Sequence, residues 1–234
     1  MISKKRDAPE RQITVLLADD HTIVRQGFRA LLEAERDIVI VGEAATGRQA
    51  VQLAKKLRPD VAVIDIAMPL LNGLDATRQI TREVPSTKVL ILSSYDDDEY
   101  VHQLGEAGAS GYLLKETAVT DLLSAIRKVM QGRACFSTDI SERLLDHYRD
   151  TFLKRAPDQT STRKLSCRES EVLQLIAEGK ASKQIAVELN LSKKTVENHR
   201  QRLMKKLNIH DIASLTRYAI AKGVIASPQL QRLV

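Results

Sequence analysis

Four short apolar runs in the first half of the chain each stop on a polar group of a restricted kind. Ile13–Ala18 leads into Asp19-Asp20, Val61–Ile64 into Asp65, Val89–Leu92 into Ser93, and Tyr112–Leu114 into Lys115. Runs of this length, without polar alternation and separated by helix-period stretches, read as strands of a parallel sheet buried on both faces. Parallel strands finish along one edge, where open α/β sheets take their ligands. Three carboxylates, a hydroxyl and an ammonium should therefore gather in one crevice.

The pattern from Ile13 to Gly132 alternates strand and helix five times. Strands are expected at Ile13–Ala18, Ile38–Ala44, Val61–Asp65, Lys88–Ser93 and Gly111–Leu114. Helices are expected at Thr22–Ala34, Arg48–Leu57, Leu74–Val84, Glu99–Ala107 and Val119–Gln131. Gly47, Gly108 and Gly132 punctuate helix ends, and Pro59 and Pro85 fall in helix-to-strand connections. Five such units predict a flavodoxin-like, doubly wound, parallel five-stranded sheet over residues 13–132, after a flexible tail at 1–12. Residues 133–163 lose this regularity. Leu144, Leu145, Tyr148 and Phe152 have the spacing of a linker helix, and the polar 156–164 stretch reads as flexible.

From Leu165 onward only short helices are predicted, giving a small all-α domain over 164–226 and a tail at 227–234. Ser166-x-x-Glu169 is a capping box, Ser182 and Ser192 are candidate caps, and Asp211 opens a last helix that Gly223 stops. Two short helices joined by a tight turn, the second long and basic, describe a helix-turn-helix.

Charge separates the two halves. Residues 1–159 carry 22 Lys+Arg against 24 Asp+Glu, whereas 160–234 carry 14 against 6. A basic C-terminal half points to a phosphate-bearing partner such as nucleic acid, the alternative being a basic but merely solvated surface. Cys135 and Cys167 have no metal or disulfide spacing, which fits a reducing cytosol. No signal-peptide core and no membrane-length apolar stretch occur, so a cytoplasmic protein without a membrane partner is expected.

In the common strand order 2-1-3-4-5, Asp19 and Asp20 come beside Asp65. Crowded carboxylates repel unless a cation joins them, and oxygen donors of this kind suit Mg²⁺. An ionised Asp65 can then act as a nucleophile toward phosphorus, with Ser93 donating to the phosphoryl group and Lys115 balancing its charge. His21 follows the acidic pair and is read as a neighbour rather than a ligand; His102 is read as a surface residue.

Asp19-Asp20, Asp65-x-x-Met68-Pro69-x-x-Asn72-Gly73, Ser93 and Tyr112-x-x-Lys115 together resemble the receiver domain of bacterial two-component response regulators. The resemblance implies that Asp65 is the phosphoacceptor. Asp20 and Asp65 would be direct Mg²⁺ ligands, Asp19 would assist partly through water, and the backbone carbonyl of Ala67 would complete the set. It makes Ser93 and Tyr112 a switch pair whose ring turns inward on phosphorylation, and a sensor histidine kinase the donor. Two departures are Asn72, where an acid is common, and Glu116-Thr117 after Lys115.

In the C-terminal half, Val196, Leu203 and Leu207, with Met204 at the edge, form the apolar face of the third helix. They are expected to pack on Val172, Leu173, Ile176, Ile185, Ala186 and Leu189, with His199 at the margin. The other face presents Lys194, Glu197, Asn198, Gln201 and Lys205 to base edges and phosphates, or simply to solvent. Leu165-Ser166-x-Arg168-Glu169, Ile176-Ala177-x-Gly179, Lys183-x-Ile185-Ala186 and Thr195-Val196-x-x-His199 resemble the LuxR-type helix-turn-helix of the NarL/FixJ regulators. That resemblance implies base contacts from Lys194, Glu197, Asn198 and Gln201. Phosphate contacts would come from Lys193, Thr195, Arg200, Arg202 and Lys205, and a dimer surface from Ile212, Leu215, Thr216, Tyr218 and Ala219.

The expectation is a non-enzymatic, two-domain transcription regulator. Phosphorylation of Asp65 would release the C-terminal domain or pair two receivers, and a homodimer would bind double-stranded DNA, with RNA polymerase as a further candidate partner. Two alternatives are a Mg²⁺-dependent phosphohydrolase, weakened by Ala67 where such enzymes carry a second acid, and a DNA-binding protein whose receiver only dimerises.

Overall fold

The computed structural model describes residues 11–94, 103, 105–136, 140, 145 and 165–225. Among these, the strands are β1 (Ile13–Ala18), β2 (Ile38–Ala44), β3 (Val61–Asp65), β4 (Lys88–Ser93) and β5 (Gly111–Leu114), with the bounds expected. They form one parallel sheet in the order β2-β1-β3-β4-β5. Helices α1 (Thr22–Glu33), α2 (Gly47–Leu57), α3 (Gly73–Glu83) and α4 (Lys115–Met130) accompany it. Of the helix expected at Glu99–Ala107, only residues 103 and 105–107 are described, and these are helical. The expected tails at 1–12 and 227–234, and the expected linker helix apart from Leu145, lie outside or almost outside the described residues.

The two-residue alternation along each strand splits the core between the faces of the sheet. Leu16, Ala18, Ala62, Ile64 and Ile91 pack with Ala50, Ala54, Ala76 and Ile80 of α2 and α3. Val15, Leu17, Val63, Leu90 and Leu92 pack with Phe28 and Leu32 of α1 and with Leu122, Ala125, Ile126 and Val129 of α4. Both faces are covered, which is why the strands lack polar alternation. Beyond α4 the chain returns along β5, with Tyr112 N–H donating to the Cys135 carbonyl at 2.9 Å and Cys135 N–H to that of Ser110 at 3.1 Å.

Two helices begin earlier than their sequence signals suggest. Gly47 is the first residue of α2 rather than its preface: Thr46 caps it, and a Cβ on Gly47 would stand 2.0 Å from the Leu71 carbonyl oxygen. Helix α4 starts at Lys115, four residues before the expected Val119, so β5 runs directly into it and leaves no loop. Leu114 caps without a side-chain hydrogen bond, and a cation at a helix N-terminus opposes the macrodipole. Carboxylates facing Lys115 offset that cost.

The C-terminal domain contains α5 (Cys167–Ala177), α6 (Ser182–Leu189), α7 (Lys193–Leu207) and α8 (Ile212–Ala221). The capping box is present: Glu169 N–H donates to Ser166 Oγ at 3.3 Å, and Ser166 N–H to Glu169 Oε2 at 2.8 Å. Ser192 and Asp211 cap α7 and α8, whereas Ala181, not Ser182, precedes α6. Ser182 instead uses its hydroxyl to accept from Arg200 at 2.8 Å. Val172, Leu173, Ile176, Ile185, Ala186, Leu189, Val196 and Leu203 form the expected core, with Leu207 and Met204 at its edge.

Candidate functional site

Strand register brings the polar strand ends together. Ala18 pairs with Ile64, so the next residues, Asp19 and Asp65, are neighbours. Asp65 pairs with Leu92 and Ser93 with Leu114, stepping Ser93 and Lys115 around the same edge. Lys115 Nζ lies 2.8 Å from Asp19 Oδ2 and 3.1 Å from Asp65 Oδ1. One carboxylate oxygen each of Asp19, Asp20 and Asp65 and one ring nitrogen of His21 fall within 4.8 Å of one another. Ser93 and Tyr112 are buried, the Tyr112 ring lying inside the core cluster. Ala67 sits half-buried in the loop after β3. That loop is held by the Ile66 carbonyl, which accepts from Met68 N–H at 3.0 Å and Gly73 N–H at 2.8 Å.

Burial sets the electrostatics. Asp65 is 2 % exposed. Desolvation pushes its carboxyl from 3.8 up to about 6; Lys115 pulls it down, and Asp19 and Asp20 push it further up. Burial lowers the Lys115 ammonium, but the Asp65 and Asp19 carboxylates outweigh that and hold it above its ordinary value. With Asp65 ionised, three carboxylates and one ammonium leave an excess of two negative charges. Among the described residues, Asp65 Oδ2 is buried and accepts no hydrogen bond. Hard oxygen donors, an uncompensated double charge and a buried Asp20 Oδ1 that likewise accepts no hydrogen bond fit a divalent cation such as Mg²⁺.

Two neighbours shape the pocket. Asp19 Oδ1 accepts from His21 N–H at 2.8 Å, and Arg25 donates to the Asp19 carbonyl at 2.6 Å. His21 Nδ1 lies 2.8 Å from Asp20 Oδ1, so a residue read as a bystander in fact lines the acidic cluster. A Cβ on Gly73 would stand 2.1 Å from the Asp65 carbonyl oxygen. That distance explains the Asn72-Gly73 step: Asn72 caps α3, accepting from Asp75 N–H at 2.8 Å, and Gly73 lets the helix start against the backbone of Asp65.

In the helical domain, Lys193, Lys194, Glu197, Asn198, Gln201, Arg202 and Lys205 of α7 are exposed. Lys193 lies 3.6 Å from Glu197. Thr195 and Arg200 are partly engaged within the domain, Thr195 with the Ser192 hydroxyl at 2.8 Å and Arg200 with that of Ser182. The exposed set combines amides, a carboxylate and cations on one helix, an arrangement able to meet base edges and phosphates.

Residues 15–127 match the family model described as response regulator receiver domain, and residues 163–219 match bacterial regulatory proteins, luxR family. The chain is 39 % identical over 207 residues to the transcriptional regulatory protein LiaR of Bacillus subtilis, covering 88 % of this chain and 96 % of that one. It belongs to the LuxR-type response regulators. Another relative is the response regulator UvrY of Escherichia coli, 37 % identical over 214 residues, 91 % of this chain and 95 % of that protein. Among solved structures, RcsB of Salmonella typhimurium is similar at 28 % identity and a TM-score of 0.61, covering 91 % of this chain and 98 % of that one. RcsB from Salmonella enterica serovar Typhimurium bound to promoter P1flhDC in the presence of phosphomimetic BeF3⁻ is similar at 28 % identity and a TM-score of 0.58, covering 90 % and 100 %. No helix among the described residues of this regulator is long and apolar enough to cross a membrane.

Two features of the regulator differ from, or were absent in, the sequence reading. Leu215 and Ala219, expected on a dimer surface, are fully buried in the domain's own core. Spaced by four residues, they form the inward stripe of α8, so only the rest of that set, led by the 53 % exposed Ile212, can face a partner. The second feature is a polar clasp between the halves. Gln174, 1 % exposed, accepts from Asn72 N–H at 2.8 Å and donates to the Met68 carbonyl at 3.1 Å. Leu70 N–H donates to Glu178 at 2.9 Å, Ser170 to Asp75 at 2.7 Å, and Gln79 to Glu171 at 2.9 Å. Leu70 packs against the helical-domain core from a left-handed backbone at φ 67°, a conformation that costs a non-glycine residue about 1–2 kcal/mol. Side chains more than ninety positions apart make these contacts, and no local pattern announces them.

Proposed function

We propose that this chain is a phosphorylation-switched transcription regulator in which Asp65 takes a phosphoryl group from the phosphohistidine of a sensor histidine kinase. The observation that carries it is the Asp65 carboxylate itself: one oxygen faces the Lys115 ammonium at 3.1 Å, and the other is buried without a hydrogen bond. That second oxygen attacks phosphorus, the donor's N–P bond breaks, and the histidine leaves with the bonding pair. Above about pH 6 the carboxylate is ionised and able to attack.

Phosphoryl transfer needs positioning and charge balance more than covalent assistance. Lys115 supplies a cation at one phosphoryl oxygen and the Ser93 hydroxyl donates to another. Asp20 and Asp65 would hold Mg²⁺ directly, Asp19 partly through water, and the Ala67 backbone carbonyl would complete the protein ligands; bound there, the ion would supply positive charge against the incoming phosphoryl group. Tyr112, on β5, already has its ring buried in the core, so phosphorylation would hold it there rather than turn it inward. Phosphorylation then biases the loop after β3 and controls pairing of two chains on double-stranded DNA. Lys194, Glu197, Asn198 and Gln201 read base edges, while Lys193, Thr195, Arg200, Arg202 and Lys205 serve phosphates. The setting is the cytoplasm, with RNA polymerase a further partner at the promoter.

Operator selection on random duplex DNA, with and without Mg²⁺ and beryllofluoride, tests this reading. A common sequence should be enriched, and enriched more strongly with beryllofluoride; Asp65→Asn should abolish the increase. Enrichment that is identical with and without beryllofluoride refutes the switch, and no enrichment refutes the reader.

A further inference from the structure

His21 occupies the position that caps α1, yet its side chain makes no capping hydrogen bond. Serine, threonine, aspartate and asparagine serve that position because their side-chain oxygens accept from the first helical N–H groups. The imidazole is turned instead toward the acids. Its Nδ1 lies 2.8 Å from Asp20 Oδ1 and 3.5 Å from Asp19 Oδ1. His21 Nδ1, Asp20 Oδ1 and Asp65 Oδ2 are each buried, and none of the three has a hydrogen-bond partner among the described residues. A nitrogen and an oxygen this close, without the alignment of a hydrogen bond, are spaced as neighbouring ligands of one ion. Donors about 2.1 Å from an octahedral metal stand about 3 Å apart when adjacent and about 4.2 Å apart when opposite. One oxygen each of Asp19, Asp20 and Asp65 and one nitrogen of His21 lie within 4.8 Å of one another. We propose that His21 is a metal ligand through Nδ1, and that the pocket takes a first-row transition dication, of the class of Mn²⁺, Co²⁺ and Ni²⁺, in preference to Mg²⁺.

That assignment rests on the proposed reading of the pocket as the metal site of the phosphoacceptor Asp65. Donor sets made only of oxygen suit Mg²⁺, whereas an imidazole nitrogen favours the later first-row ions. His21 joins Asp20, Asp65 and the Ala67 carbonyl to give four protein donors. Six-coordination then leaves two positions, enough for a water and a phosphoryl oxygen, so the nitrogen ligand does not block the chemistry at Asp65. The backbone that carries the imidazole is fixed from both sides. His21 N–H donates to Asp19 Oδ1 at 2.8 Å, while Arg25 donates to the Asp19 carbonyl at 2.6 Å and pairs with Glu43 at 3.1 Å. If His21 merely paired with Asp20, its imidazole would compete with every dication alike, and removing it would tighten Mg²⁺ and Ni²⁺ together.

Isothermal titration calorimetry on the full-length, untagged chain measures Mg²⁺ and Ni²⁺ binding to wild type, His21→Ala and Asp65→Asn. Electron spin echo spectroscopy of the Mn²⁺-loaded wild type detects a directly bound nitrogen nucleus and needs no variant. Wild type should bind Ni²⁺ at least about a hundredfold more tightly than Mg²⁺ and show the nitrogen modulation. His21→Ala should lose at least about tenfold in Ni²⁺ affinity and the modulation with it, while its Mg²⁺ affinity stays within about threefold of wild type. A wild-type Mn²⁺ spectrum without nitrogen modulation would overturn the ligand role while leaving the acidic pocket intact. So would a His21→Ala chain whose Ni²⁺ affinity is unchanged, or moves in step with its Mg²⁺ affinity in either direction. Should Asp65→Asn bind both ions as tightly as wild type does, the metal site itself is refuted, and the role of His21 falls with it.

Discussion

Replacing Asp65 with asparagine should stabilise the regulator while abolishing its switching. Asp65 is 2 % exposed and its carboxyl is pushed from 3.8 up to about 6, chiefly by burial. A raised carboxyl pKa means that the folded state holds its proton more tightly than the unfolded chain does. Stability from this group is therefore greatest below pH 3.8 and declines as pH rises to 6, beyond which the loss is complete. The gap of about 2.2 units, at about 1.36 kcal/mol each, makes the ionised carboxylate cost roughly 3 kcal/mol at pH 7.5. Asparagine keeps the shape and carries no charge, so Asp65→Asn should recover most of that amount, raising the receiver's melting temperature by roughly 10 °C. At pH 5 the recovery should be about half as large, because folded Asp65 is then mostly protonated. Differential scanning calorimetry of the full chain with EDTA at both pH values measures this. Millimolar Mg²⁺ should stabilise wild type more than the variant. An asparagine variant no more stable than wild type at pH 7.5, or equally stabilised at both pH values, would refute the claim that a buried, uncompensated charge defines the pocket.

Other substitutions probe the geometry around that charge. Gly73→Ala places a methyl where the Asp65 carbonyl oxygen now stands 2.1 Å away; it should slow Asp65 labelling by acetyl phosphate at least about tenfold and destabilise the receiver by about 1–3 kcal/mol. Unchanged labelling would show that the step after Asn72 does not position the phosphoacceptor. Asn198→Ala should weaken operator binding by about 1–3 kcal/mol and relax preference at one base position, whereas Lys205→Ala should weaken all sequences alike and reduce the salt slope by about one. Equal effects on selected and random duplex by both would remove α7's base-reading role. Ser166→Ala breaks the capping box of α5 and should cost the helical domain about 1 kcal/mol in urea denaturation.

The five strands carry their assignment in the chain itself. A segment buried on both faces must be apolar throughout, and that constraint is written residue by residue in Ile13–Ala18 or Val61–Ile64. The caps Ser166, Ser192 and Asp211 are legible for a similar reason, since each meets backbone donors within three residues of itself. Helix starts at Gly47 and Lys115 were less legible. Gly47 is required by the Leu71 carbonyl, and Lys115 is tolerated at a helix N-terminus because Asp19 and Asp65 face it.

The same division runs through the site. The acids, hydroxyl and ammonium could be listed from the strand ends, because parallel strands must finish on a common edge. Tertiary structure decided their relations: which oxygen Lys115 meets, that Asp65 titrates near 6, and that His21 lines the cluster. It also decided that Leu215 and Ala219 turn inward and that Gln174 closes on Met68 and Asn72 across more than a hundred residues. Local pattern records how a segment must be buried, since burial acts on each side chain singly. Which groups are buried together depends on how whole segments pack, and no stretch of sequence holds that information alone.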